Sequence, residues 1–246
     1  MNRLSNKKRK RRIIFLSIFL LLITIPFSSY LISYQAQSDA LEAYRSAKKK
    51  TGYYGFESNE STQGIIYYPG GLVDPRSYAG FAKLLSEQSD CHVFVTQPLF
   101  NLAITDINKA KRIIQNYPLV TSWWIGGHSL GGSSAAFYGI NEVESLQGIF
   151  FLGSYTTAQA DFSSTSLPML SIIGDQDQIL DAATYQQSLV YFSSQLTTYT
   201  LQGGNHSQFG DYGLQRGDGV ASLTRQEQHL LVVEQLILWM DTNASN

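Results

Sequence analysis

The chain has 246 residues, of which 43% are hydrophobic and 15% charged, with a formal net charge of −1. That composition suits a folded globular domain and excludes a disordered one, and the near-zero charge offers no basic field for nucleic acid. One cysteine, Cys91, excludes an intramolecular disulfide and a cysteine-based metal cluster.

The near-neutral total hides an asymmetry. Arg3, Lys7, Lys8, Arg9, Lys10, Arg11 and Arg12 crowd the start, so the remainder is acidic. They run into an uncharged apolar stretch that continues from Ile13 to Ile32. Roughly twenty such residues can cross a bilayer as a helix, and a positive flank stays cytoplasmic. The expectation is a basic cytoplasmic segment over residues 1–12 and a single-pass signal anchor over 13–34, with the remainder of the chain outside the cytoplasm. A cleaved signal peptide is the competing reading, but Ser38-Asp39-Ala40 is a poor cleavage site. Gln35 to Lys50 is polar, helix-compatible and ends in Lys48-Lys49-Lys50. It reads as a solvated juxtamembrane stalk, which leaves 51–246 for the folded domain.

Beyond the stalk, strands and helices alternate. Thr51 to Ser58 reads as an early edge strand. Gly64 to Tyr68 is a short apolar strand ending at Pro69-Gly70-Gly71. Tyr78, Phe81, Leu84 and Leu85 mark a helix over Ser77 to Gln88. His92 to Thr96 is a strand, with Cys91 as a small buried residue at its start. Ala103, Ile104, Ile107, Ala110, Ile113 and Ile114 form a helical stripe closed by Pro118. Val120 to Ile125 is a strand, Gly148 to Leu152 another, and Met169 to Ile173 another. A helix over Ala182 to Phe192, a strand over Thr197 to Leu201 and an amphipathic helix over Gln226 to Met240 complete the chain. Continuous apolar strands alternating with helices predict an α/β fold with a mostly parallel sheet covered on both faces. Ligands of such sheets bind beyond the carboxyl ends of the strands. Gly153 to Pro168 is too short for a large cap domain, so the site is expected to be open.

Gly126-Gly127-His128-Ser129-Leu130-Gly131-Gly132 contains Gly-x-Ser-x-Gly between a strand and a helix-compatible Ser133-Ser134-Ala135-Ala136. That is the pattern of a nucleophile elbow, in which a strained turn lifts the serine hydroxyl clear of the sheet. A serine hydroxyl needs a base, and the chain has four histidines. His128 adjoins the serine and points elsewhere on a tight turn, which suits it to lining or supporting the site. His92 opens a strand and His229 sits on the closing helix, both positions that suit structural roles. His206, in Gly203-Gly204-Asn205-His206-Ser207, follows the last strand and is the candidate base. An acid must orient it, and Gly174-Asp175-Gln176-Asp177 offers two. Asp177 is preferred because a turn separates it from the strand; Asp175 is the alternative, better placed to brace the turn. Asp181 fits a helix N-cap. The oxyanion needs two N–H donors: Leu130 after the serine, and Gly71 in the loop Pro69 to Pro75, with Leu72 as the alternate.

With these motifs, the chain resembles the α/β-hydrolase superfamily, and more narrowly a group of small, often membrane-anchored bacterial hydrolases. The carried segments are Tyr68 to Pro75, Gly127 to Gly132, Gly174 to Asp177 and Gly203 to Gly213, in the order Ser129…Asp177…His206. Pro69 departs from the pattern, since many relatives carry a histidine there. The resemblance implies an α/β-hydrolase fold without a large cap domain and a serine hydrolase acting on a small-molecule or lipid-like acyl substrate, without metal or organic cofactor. Acyl transfer to an alcohol uses the same groups and is the alternative activity; a non-catalytic surface-binding protein on the same fold is a further one. Gln208 to Gly219, with Asp211 and Asp218 among glycines, reads as a rim loop around His206.

Overall fold

Eight strands hydrogen-bond into one sheet in the order β1-β2-β4-β3-β5-β6-β7-β8. They are β1 (Lys48–Lys50), β2 (Tyr53–Phe56), β3 (Gln63–Tyr68), β4 (His92–Thr96), β5 (Ser122–His128), β6 (Gly148–Leu152), β7 (Met169–Gly174) and β8 (Leu196–Leu201). From β4 to β8 every neighbouring pair is parallel, and only β1 and β2 join antiparallel. The helices are α1 (Ser38–Ser46), α2 (Ala79–Ser89), α3 (Lys109–Asn116), α4 (Leu130–Gly139), α5 (Ala182–Ser188) and α6 (Arg225–Asn243). This computed structural model describes residues 10, 11, 14, 15, 24, 28, 33–59 and 61–244. The basic segment expected over 1–12 and the anchor expected over 13–34 lie almost wholly outside the described residues. Among the described residues, no helix is long and apolar enough to cross a membrane.

The central strands are buried on both faces because their residues alternate between two cores. Ile65, Tyr67, Val93, Val95, Trp124 and Phe150 pack on one side with residues of α2 and α6, among them Phe81, Leu85, Val232 and Leu236. Ile66, Tyr68, Phe94, Ile125 and Phe151 pack on the other with Ile113 of α3 and Ala135 of α4. Burying one such side chain contributes about 1.5–3 kcal/mol. α6 is fixed at its start by a capping box, in which the Thr224 hydroxyl accepts from the Glu227 N–H and the Glu227 carboxylate accepts from the Thr224 N–H. It is held along its length by packing such as the edge contact of Trp239 on Trp124.

Three expectations are corrected. Residues 35–50 are not a solvated stalk. α1 packs against α2, Ala40 and Ala47 are buried, and the three lysines form β1, an exposed edge strand rather than a helix face. Lysine on an outer strand blocks edge-to-edge association. Consequently Tyr53–Phe56 is an interior strand between β1 and β4, not an edge. The stripe from Ala103 to Ile114 is also broken, into a 3-10 turn (Ala103–Asp106) and α3. The Tyr68 hydroxyl causes the break. It donates to the Ile107 carbonyl and accepts from the Ala110 N–H, standing where a helical hydrogen bond would run.

His92 and His229 sit in structural positions. The His92 ring hydrogen-bonds the Ser61 carbonyl at 3.0 Å. His229 is buried edge-on against Phe81. Burial, reinforced by the Arg225 cation and opposed by the Gln208 backbone, lowers its pKa to about 3. The unfolded imidazole titrates near 6.5, so between those values only the unfolded chain binds the proton. Stability therefore falls as pH drops through 6.5, by about 2 kcal/mol at pH 5 relative to pH 7 from this residue alone. His229→Leu is expected to remove about that much of the pH dependence, measured as the difference between urea unfolding curves at the two pH values; an unchanged difference would refute the assignment.

Candidate active site

β5 runs to His128 and α4 starts at Leu130, so Ser129 alone makes the turn. Its φ of 52° and ψ of −125° are a conformation that side chains rarely adopt. The turn is closed by backbone. The Ser129 N–H donates to the Leu152 carbonyl at 3.0 Å. The Ser129 carbonyl accepts from the Gly132 N–H at 3.0 Å and the Ser154 hydroxyl at 2.6 Å. A Cβ on Gly127 would strike the Tyr68 carbonyl, and one on Gly131 would strike the Tyr68 and Pro69 carbonyls. Only glycine lets strand, helix and the loop after β3 meet this closely. Ser129 itself stays half-buried at the N-terminus of α4, where the helix dipole favours negative charge.

The loops after β7 and β8 bring Asp177 and His206 together. Nδ1 of His206 lies 2.7 Å from Oδ2 of Asp177, with both side chains about 2% exposed. The other Asp177 oxygen accepts from the N–H groups of Ile179 (2.9 Å) and Leu180 (2.8 Å), which fixes the carboxylate plane. Asp175 turns away and accepts from the Gly203 N–H at 2.7 Å, bracing one loop on the other. Asp181 caps α5 through the Thr184 N–H. The second ring nitrogen of His206, Nε2, is buried with no hydrogen-bond partner among the described residues. Gly153, with φ 51°, closes the cluster. A Cβ there would sit 2.9 Å from His206 Nδ1 and 3.1 Å from Asp177 Oδ2. Because Gly153 follows Leu152, whose carbonyl holds Ser129, the serine turn and the His–Asp pair meet at the end of β6.

The loop after β3 supplies the remaining groups. Gly71 lies against Leu130: a Cβ on it would be 3.0 Å from Leu130 Cδ2. As the first residue of α4, Leu130 has an N–H with no acceptor inside the helix. The Leu72 amide is committed elsewhere, donating to the Asn101 carbonyl at 2.8 Å.

Two further groups hold this loop to the serine turn. The Tyr78 hydroxyl accepts from the Gly70 N–H at 3.0 Å and is 2.9 Å from Nδ1 of His128. Burial pushes the Tyr78 pKa up, so it keeps its proton. Burial, reinforced by the neighbouring His206 imidazole and opposed by the His206 backbone, pushes the His128 pKa well down. A neutral His128 then accepts from Tyr78 at Nδ1. His128 also packs its ring 4.4 Å from that of His206.

The His206 loop is gripped from two sides by residues outside the sequence motifs. Asp218 accepts from the Ser207 N–H (2.7 Å), the Ser207 hydroxyl (2.5 Å) and the Gly219 N–H (2.9 Å). Its other contacts, at 3.4 Å to the His206 N–H and 3.3 Å to the Gln178 N–H, link the His206 loop to the Asp177 loop. Gln228, buried on α6, accepts from the Asn205 N–H and donates to the Asn205 carbonyl. Tyr78, Asp218 and Gln228 were not among the candidate site residues. Tyr78 looks like one more apolar position of a helix stripe, Asp218 like a solvated loop acid, and Gln228 like a polar helix face. Among the described residues, no group of three or more histidine, cysteine, aspartate or glutamate side chains is arranged to hold a metal.

A family model described as "Alpha/beta hydrolase family" matches residues 64–230. Comparison with curated proteins gives no match. Among solved structures, the chain is similar to a lipase candidate from Acinetobacter baumannii (TM-score 0.64, 13% identity, 85% of this chain and 96% of that one). It is also similar to Est1E from Butyrivibrio proteoclasticus (TM-score 0.56, 13% identity, 81% and 98%). A third is a structure from the metagenome-derived lipolytic enzymes LipS and LipT (TM-score 0.57, 13% identity, 76% and 97%). At these identities the likeness is one of fold.

The grip of Asp218 can be measured directly. Asp218→Ala leaves the buried Ser207 N–H without its acceptor and is expected to cost about 2 kcal/mol in chemical denaturation, with the overall secondary structure retained. A loss within error of zero would mean that the carboxylate does not hold the loop.

Proposed function

This chain belongs to the alpha/beta hydrolase family and is an enzyme of the hydrolase type, and on that premise we propose that it cleaves a carboxylic ester or related acyl bond through an acyl-enzyme on Ser129. The observation that carries the proposal is the buried Asp177–His206 hydrogen bond, which leaves His206 Nε2 without another partner beside the serine turn. Nε2 takes the hydroxyl proton as Ser129 Oγ attacks the carbonyl carbon. Asp177 keeps the proton on Nδ1 and stabilises the imidazolium. The N–H groups of Leu130 and Gly71 receive the oxyanion. Collapse of the tetrahedral species breaks the bond to the alcohol, which leaves with the proton from Nε2. Water, deprotonated by the same nitrogen, then releases the acid and restores Ser129.

The basic run from Arg3 to Arg12 and the uncharged stretch from Ile13 to Ile32 support a single-pass anchor in the cell membrane, with the hydrolase domain on the extracytoplasmic side.

Labelling with a fluorophosphonate tests the nucleophile: the folded protein is expected to label, and Ser129→Ala to abolish it. Asp177→Asn is expected to lower ester turnover on the order of 10³–10⁴-fold by permitting the wrong histidine tautomer, whereas Asp175→Asn leaves it nearly unchanged. The reverse ranking of the two aspartates in steady-state assays would sink the assignment.

A further inference from the structure

We propose that Tyr78, acting through His128, is a positioning residue for the reaction at Ser129: the pair ties the loop that carries the Gly71 N–H to the residue before the nucleophile. The proposal rests on the acyl-enzyme reading above and deepens it.

Between Pro69 and Pro75, every N–H but that of Gly71 has an acceptor among the described residues. The Gly70 N–H donates to the Tyr78 hydroxyl at 3.0 Å. The Leu72 N–H donates to the Asn101 carbonyl at 2.8 Å, the Val73 N–H to the Gly70 carbonyl at 3.4 Å, and the Asp74 N–H to the Tyr34 carbonyl at 2.8 Å. The bond from Val73 closes a tight turn in which Leu72 takes a φ of 56°. The C=O and N–H of a trans peptide point opposite ways. The bond that draws the Gly70 carbonyl into the turn therefore directs the Gly71 N–H out of it. Three of the four bonds join backbone to backbone. The fourth ends on a side chain, so Tyr78 is the support that a substitution can remove.

Tyr78 is itself held in advance. It ends a 3-10 turn (Pro75–Tyr78) that Asp74 caps through the Arg76 N–H at 3.0 Å. The Tyr54 hydroxyl donates to the Pro75 carbonyl, and the Asp211 N–H to the Ser77 carbonyl, each at 2.8 Å. The Tyr78 side chain is fully buried, with its ring 5.1 Å from that of Tyr67. A donor aimed by groups already in place needs no reorganisation as charge develops.

A buried hydroxyl that accepts from Gly70 must also place its own proton. The acceptor at hand is Nδ1 of His128, 2.9 Å away. Burial keeps both groups uncharged, raising the Tyr78 pKa and lowering that of His128. The chain from Gly70 N–H through Tyr78 O–H to Nδ1 thus runs from the oxyanion loop to the residue beside Ser129. Only glycine at position 70 admits it: a Cβ there would sit 2.8 Å from the Tyr78 hydroxyl and 2.9 Å from Nδ1. The same imidazole packs 4.4 Å from the His206 ring. Oxyanion loop, nucleophile and base therefore meet at one buried side chain.

The test compares the full chain with its variants on a p-nitrophenyl ester of a short-chain acid and on a trifluoromethyl ketone of matching chain. The ketone adds to Ser129 as a hemiketal whose oxyanion stands where that of the tetrahedral species does. Removing an oxyanion donor costs about 10²–10³-fold, and misaiming one is expected to cost less. Tyr78→Phe is expected to lower kcat and kcat/KM together, on the order of 10–100-fold at unchanged KM, and to raise the ketone Ki by the same factor. A purely structural role would reduce the active fraction, counted by exhaustive fluorophosphonate labelling, and leave the Ki unchanged; that result overturns the proposal. His128→Leu is expected to match Tyr78→Phe, and the double variant to lose no more than either alone; additive losses overturn the pairing. His128→Asn keeps an acceptor near the Nδ1 position and is expected to stay within a few-fold of the parent. His128→Asn as impaired as His128→Leu overturns the role of the hydrogen bond. If Tyr78→Phe does not fold, the comparison of the two His128 variants decides. A parent protein that neither turns over the ester nor labels at Ser129 overturns the acyl-enzyme reading, whereas an active parent with an unaltered Tyr78→Phe variant overturns the positioning role alone.

Discussion

Three stretches of backbone meet at Ser129, and the meeting is possible only because side chains are missing there. Gly127 and Gly131 leave no Cβ to strike the carbonyls of Tyr68 and Pro69, so the end of β5, the start of α4 and the loop after β3 share one small volume. The strained torsions of Ser129 persist because the surroundings over-determine them, with its N–H on Leu152 and its carbonyl held by Gly132 and Ser154. Gly71 lies against the Leu130 side chain in the same small volume.

The parallel sheet does the rest of the assembly. Its strand order brings the ends of β3, β5, β6, β7 and β8 side by side, so loops far apart in sequence converge on one edge. The loops are then locked to each other: Asp175 reaches Gly203, Asp218 reaches Gln178, Ser207 and the His206 backbone, and Gln228 clamps Asn205. The burial of Asp177 and His206 is tolerable because their polar atoms are paired within this lattice, with Nε2 of His206 as the exception. That nitrogen is the group a proposed general base needs free.

The N-terminal part of the folded unit is tied to this machinery rather than hung from it. Arg225 at the head of α6 reaches both Asp39 and Asp211, and Tyr34 bridges to Val73.

Much of the fold was legible along the chain. The apolar runs of β3 to β7 announce buried parallel strands, because each must satisfy two cores. The Gly-x-Ser-x-Gly turn announces itself because close backbone approach demands glycine. His206 stood out as a candidate because it follows the last strand, on the edge where the loops of such a sheet gather. The stalk was misread because the polarity of Gln35 to Lys50 is local, whereas its burial comes from Asp211, Arg225 and α2, all distant in sequence. The break before α3 was hidden because its cause, the Tyr68 hydroxyl, lies on another strand. The sequence by itself determined the layering, the turn at Ser129 and the short set of acids and bases, since these depend on periodicity and on residues that sterics make irreplaceable. Only the tertiary structure decided that Asp177 rather than Asp175 meets His206, that Tyr78 and Asp218 hold the loops, and that Tyr34 pairs with Val73, since hydrogen bonds between distant loops leave no local pattern.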